Sequence, residues 1–171
     1  MAALLKLFLD IALLRRGPQD VPASPVLCGL ALLAYAALGF LLFAVGASPL
    51  IAAGQTVLDL VLLTGVVRTL LAAHGHRARF RQTFTALTGT GALFALAGLP
   101  LTLWLLETGP TPDAPALPST LYLMLVLWSV VVMGHVLRHA LGVSRGVGLA
   151  YAFGYLVVSV VVMTALFPQL G

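Results

Sequence analysis

Asp59 stands in the middle of an apolar run, PLIAAGQTVLDLVLLTGVVRTLLAA, and it is the residue whose chemistry most needs an account. An aspartate at the centre of a membrane helix costs roughly 2.5–3.5 kcal/mol even on a lenient insertion scale, so it is expected to face protein or water. Gln55 and Thr56 share its helical face and extend a polar stripe. Counting inward from the outer ends of the later apolar runs brings Ser129, Tyr155 and Ser159 near its level, each with a hydroxyl able to hydrogen-bond. Two chemistries follow. A neutral carboxyl bonded to such a hydroxyl would stabilise packing, whereas a titrating carboxylate would bind protons along a transport path. A relay needs several ionisable groups in series, and His135, at a deeper level, is the one further candidate. Packing is therefore the favoured reading.

The remaining reactive residues build no site. His74 and His76 are two apart in HGHRARFRQ, but no nearby Cys, Asp or Glu completes a metal site, and a solvated basic loop near anionic headgroups accounts for them. Cys28 is the single cysteine, which excludes an intrachain disulfide and a thiolate cluster and reads as an inert thiol. Gly89-Thr90-Gly91 lacks the lysine of a phosphate loop and sits inside an apolar helix. Asp59, His135 and the serines match no catalytic spacing, paired intramembrane carboxylates are absent, and the chain has no asparagine. No catalytic residue, metal or cofactor is assigned, and the chain is predicted not to be an enzyme.

The elements that must position Asp59 follow from composition. Of 171 residues, 61% are hydrophobic and 8% charged, and the mean hydropathy is +1.10, where a soluble domain is about 25% charged. The fold class is all-α: a polytopic membrane protein with five spans at about 26–46, 50–73, 84–106, 120–141 and 146–167. Residues 1–25 hold a short interfacial amphipathic helix, read at 2–16, and a proline-rich linker; residues 26–171 form the transmembrane domain. Lys6 and Asp10 interrupt the first apolar stretch and Arg15 and Arg16 follow it, unlike a cleavable signal peptide. Ser24-Pro25 and Ser48-Pro49 fit an N-cap followed by proline at the first helical position, and Gly142 and Ser144 a C-cap and the next N-cap. Pro100 is expected to kink the third span, which a loop, GPTPDAPALPS, separates from the fourth. Trp104 and Tyr122 suit the outer interface, while Trp128 is expected to pack between helices.

Charge then orients the spans. With five of them, all nine Lys and Arg fall on one side, and Glu107 and Asp113 on the other. The positive-inside rule makes the N-terminus cytoplasmic and Gly171 external, as in a bacterial inner membrane. Arg15, Arg16, Arg77, Arg79, Arg81, Arg138 and Arg145 form a basic cytoplasmic face suited to anionic headgroups, with Arg68 snorkelling toward the same surface. The basic residues lie in short loops between spans, a placement that reads as orientation and not as nucleic-acid binding.

Gly142, Gly146, Ala150 and Gly154 recur every four residues, a small face that lets another helix approach closely. Packing within the monomer is the first reading of this face and a homodimer seam the second. Gly89, Gly91 and Gly98 thin the third span in a similar way.

The segments FRQTFTALTGTGALFALAGLPL and LVLWSVVVMGHVLRHALGVSRGVGLAYAFGYLVVSVVV carry a further signal at Phe80, Arg81, Pro100, Trp128, Ser129, Gly142, Ser144 and Arg145. Over about half the chain this pattern resembles the bacterial branch of the Yip-domain family of five-span membrane proteins. The resemblance implies a non-enzymatic protein that organises or recruits partners at the membrane, a scaffold or assembly factor. The long N-terminal region that eukaryotic members associate with Rab-type GTPases is reduced here to one short helix, so that connection is not carried over. The acidic residue often found before the span-four tryptophan is also missing, with Tyr122-Leu123-Met124 in that neighbourhood. The competing class is a small proton- or ion-coupled transporter, or a subunit of one, centred on Asp59.

Overall fold

The computed structural model describes residues 2–108 and 116–168, and the described residues contain helices and no strands. In chain order these are α1 (Ala2–Ala12), α2 (Pro25–Ala44), α3 (Pro49–Ala73), α4 (Phe80–Thr108), α5 (Ala116–Leu141) and α6 (Arg145–Leu166). The last five are long and apolar enough to cross a membrane. Asp113 and most of the proline-rich loop lie outside the described residues. That loop ends earlier than expected: α5 begins at Ala116, and Pro118 sits in its first turn, where a missing N–H is tolerated.

Local chemistry sets the helix ends. Ser24, Ser48 and Ser144 each accept a bond from the backbone N–H three residues on, at 3.3, 3.5 and 3.4 Å. Gly142 closes α5 at φ +71, a left-handed conformation that favours glycine, while the N–H groups of Gly142 and Val143 both bond the Arg138 carbonyl. The first helix stops at Ala12 and not at residue 16. Leu14 adopts φ +60, and the N–H groups of Arg15 and Arg16 fold back onto the Asp10 carbonyl. Arg16 then meets the Asp10 carboxylate at 3.6 Å.

α4 is the central helix and touches α1, α2, α3 and α5. Its buried threonines need no outside partner, because Thr83, Thr85, Thr88 and Thr90 each donate to the carbonyl four residues back at 2.7–2.9 Å. Two glycines in this helix admit aromatic rings. A Cβ at Gly89 would collide with Phe8 of α1, and one at Gly91 with Tyr35 of α2. The Gly-Thr-Gly run is thus a pair of ring seats.

α1 packs along the bundle. Leu7 and Ile11 are buried, and its C-terminal end is fixed to α5: Trp128 Nε1 donates to the Ala12 carbonyl at 3.0 Å, and His135 Nε2 lies 3.0 Å from the Arg16 carbonyl. Leu5, Leu9 and Leu13 stay exposed on the opposite face, so the apolar residues of α1 divide between two faces. Trp128 is 43% exposed, which corrects the expectation that it packs between helices. Its indole anchors the C-terminal end of α1 instead.

The arginine-bearing ends of the helices are stitched together. Arg79 Nη1 donates to the Ala140 carbonyl at 2.9 Å, Arg81 Nη1 to Ala23 at 3.4 Å and Gln82 Nε2 to Val21 at 3.0 Å. Arg68 lies over the Phe80 ring, 4.9 Å from its centroid, a cation–π contact that replaces simple snorkelling. His74 stays near this end with its ring against Tyr151.

Candidate functional site

Asp59 lies about ten residues into α3, hence ~15 Å of helical rise from Pro49, about half the thickness of a bilayer's hydrocarbon core. Both carboxylate oxygens are engaged. Tyr35 of α2 donates to Oδ2 at 2.5 Å, and Tyr155 of α6 donates to Oδ1 at 2.9 Å. Three helices far apart in sequence therefore converge on one carboxyl group. The Tyr35 ring reaches this point because Gly91 leaves room for it. Tyr35 is not among the polar residues that the sequence singles out around Asp59. The same depth count applied to the first span identifies it, since it lies about nine residues from Ala44, close to the level of Asp59.

The other polar candidates are divided. Ser129 lines the same cavity as Asp59, but its hydroxyl donates to the Val126 carbonyl of its own helix at 2.7 Å. Ser159, one turn beyond Tyr155, keeps Oγ buried with no hydrogen-bond partner among the described residues. Gln55 is buried with Oε1 likewise unpartnered, and Thr56 back-bonds to Ala52 at 2.8 Å. His135 does not join Asp59 in a chain of ionisable groups, because its Nε2 is committed to the end of α1.

A cavity of about 260 Å³ opens beside Asp59, with Tyr35, Tyr155 and Ser129 as polar lining. It extends past Phe43 and Gly98 to Tyr122, toward the ends of the helices opposite the arginines. Asp59 is only partly buried there. A carboxylate has about four lone-pair positions, so two tyrosine bonds leave it capacity for another donor.

The small face of α6 points away from the bundle. Gly146, Ala150 and Gly154 are exposed, and a Cβ at Gly146 or Gly154 would meet nothing within 4 Å among the described residues. Gly142 is explained by its backbone conformation. The close approach of α5 and α6 uses other glycines: a Cβ at Gly148 would lie 2.6 Å from the Gly134 carbonyl oxygen, and one at Gly134 would lie 2.9 Å from Leu149 Cα. Packing within the monomer thus runs through Gly134, Gly148 and Ala152, which corrects the first reading of the four-residue repeat.

Among the seven arginines of the basic face, Arg15, Arg16, Arg77, Arg79, Arg81 and Arg145 are exposed and Arg138 is partly buried. Arg138 donates to His139 Nε2 at 2.9 Å.

These features define a helical protein with five helices able to cross a membrane and an aspartate shared by three of them. No family model, curated protein or solved structure matches the chain.

Proposed function

We propose that this is a non-enzymatic integral membrane scaffold or assembly factor of Yip-like type that holds another membrane protein, or a second copy of itself, against α6. The observation that carries this reading is the outward direction of Gly146, Ala150 and Gly154. Glycine inside a helix costs about 1 kcal/mol relative to alanine, and no contact among the described residues requires it at 146 or 154. Small residues at this spacing favour close helix–helix approach in a bilayer, where packing drives association. The basic face serves as the cytoplasmic contact surface, against anionic headgroups or a recruited partner. The N-terminus is then cytoplasmic, the C-terminus external, and the location a bacterial inner membrane. Asp59 acts in this reading as the polar pin of the bundle that presents α6.

Native-gel electrophoresis in mild detergent tests the reading. The wild-type chain should migrate as a defined complex, and Gly154→Leu should release a folded monomer. A complex indifferent to Gly154→Leu and Ala150→Leu would argue against it.

The second reading, a small proton- or ion-coupled transporter or transporter subunit, is favoured by the position of Asp59 on the wall of a cavity. Loss of activity in a normally folded and assembled Asp59→Asn variant would favour this reading over the first.

A further inference from the structure

A second pocket, of about 320 Å³, lies at the arginine-bearing end of α5 and α6, lined by Leu14, Val131, His135, Arg138, Arg145 and Leu149. Two guanidinium groups thus share a recess with three aliphatic side chains, and among the described residues no carboxylate lines it. The close contact of Gly134 with Gly148 brings the two helices near enough for Arg138 and Arg145 to flank one space. Arg138 is the telling residue. One of its terminal nitrogens is held on His139, yet its Nε is buried with no partner among the described residues. Guanidinium stays charged at physiological pH, and burying one of its donors without an acceptor is unfavourable. The enclosed Nε is out of reach of a ligand, but an anion in the recess offsets the guanidinium charge and accepts from the terminal N–H groups not held on His139. Arg145 stands at the first position of α6, where the free N–H groups of the opening turn also favour negative charge.

The aliphatic wall narrows the class of anion. Leu14, Val131 and Leu149 give nothing to a fully hydrated ion, but they suit the glycerol and first acyl carbons of a lipid whose phosphate sits on the arginines. We propose that this pocket binds the phosphodiester headgroup of an anionic phospholipid, with Arg138 and Arg145 on the phosphate oxygens and Leu14 and Leu149 beside the apolar portion. The proposal rests on the reading that this end of the bundle lies at a bilayer headgroup layer. It does not depend on a protein partner at α6.

Native mass spectrometry of the full chain released from detergent tests it, with phosphatidylglycerol, phosphatidylcholine and inorganic phosphate titrated separately. The wild type should retain one phosphatidylglycerol at least about tenfold more tightly than phosphatidylcholine. Arg145→Gln, at an exposed position, and Arg138→Gln should each weaken that binding about tenfold or more, the scale of a lost charged hydrogen bond. Lys6→Gln removes the same charge elsewhere and should leave it unchanged. If Arg138→Gln does not fold, Arg145→Gln alone decides. Equal retention of the two lipids, indifference to Arg145→Gln, or retention of inorganic phosphate without a preference for phosphatidylglycerol would each overturn the lipid site. Flotation with phosphatidylcholine vesicles separates the two levels: a chain that fails to float loses the bilayer reading, while one that floats without lipid preference loses the pocket alone.

Discussion

The hydroxyl of Tyr35 in α2 donates to Oδ2 of Asp59 in α3, while the other oxygen of the same carboxyl receives Tyr155 of α6. Asp59 therefore joins two helices to its own through one side chain. Interhelical hydrogen bonds in membranes average about 0.6 kcal/mol and reach about 1.7, so Tyr155→Phe is expected to lower stability within that range. Tyr35→Phe should do the same, and the double variant should lose less than the sum, since both act on one carboxyl. Unfolding in mixed detergent micelles gives the three values.

Asn and Leu separate the roles of Asp59. An asparagine keeps one acceptor oxygen and gains an amide donor that either tyrosine hydroxyl accepts, so Asp59→Asn is expected to fold and to assemble normally. Leucine leaves two tyrosine hydroxyls without a partner, at about 1–3 kcal/mol for each unsatisfied group. Thermal melting in detergent should accordingly place Asp59→Leu well below Asp59→Asn. Equal melting of the two variants would mean that the carboxyl is not a structural pin.

Glycines on opposite faces of α6 are expected to behave in opposite ways. At Gly148 an added methyl meets the Gly134 carbonyl and the Arg138 backbone, neither of which shifts easily. Gly148→Ala should therefore destabilise the monomer by about 1–3 kcal/mol, the usual range for overpacking. Gly154→Ala meets open space and should be neutral, or stabilising by up to about 1 kcal/mol through helix propensity. Parallel unfolding curves of monomeric protein provide the comparison.

The docking of α1 depends on Trp128 and on the ring seat at Gly89. Trp128→Phe removes the donor to Ala12, and Gly89→Ala displaces Phe8. Both should loosen α1 without disturbing the five longer helices. A cysteine introduced at Ile11, buried in the wild-type fold, should become reactive toward a membrane-permeant maleimide in either variant. Continued protection would show that other contacts hold the helix.

Features decided within a few residues are the ones readable in the chain. Ser24, Ser48 and Ser144 cap the helix that follows each of them, and the period of apolar residues marks five long helices, because hydroxyl reach and helical rise are local quantities. Rotation of a helix about its axis is not local. The repeat at Gly146, Ala150 and Gly154 defines a face but not its direction, and Ser144, Gly148 and Ala152 recur at the same spacing two positions along, so spacing alone does not tell which face meets α5. Tyr155 falls within reach of a depth count, whereas Ser129 at a similar level turns its hydroxyl onto its own backbone. Depth limits the candidates, and side-chain direction selects among them. The pairing of α1 with α5 was hidden for a related reason: Trp128 and His135 bind backbone carbonyls, which carry no sequence signature.

Site-specific crosslinking in native membranes tests the scaffold reading most directly. In a Cys28→Ser background, a cysteine at Ala150 should crosslink to one discrete partner, either a second copy or another membrane protein. Adding Gly154→Leu should abolish the product while leaving the fold intact. A cysteine at Leu33, which is 66% exposed on α2, serves as a lipid-facing control and should give no such product. Equal crosslinking from both positions, or none from Ala150, would contradict an assembly surface on α6.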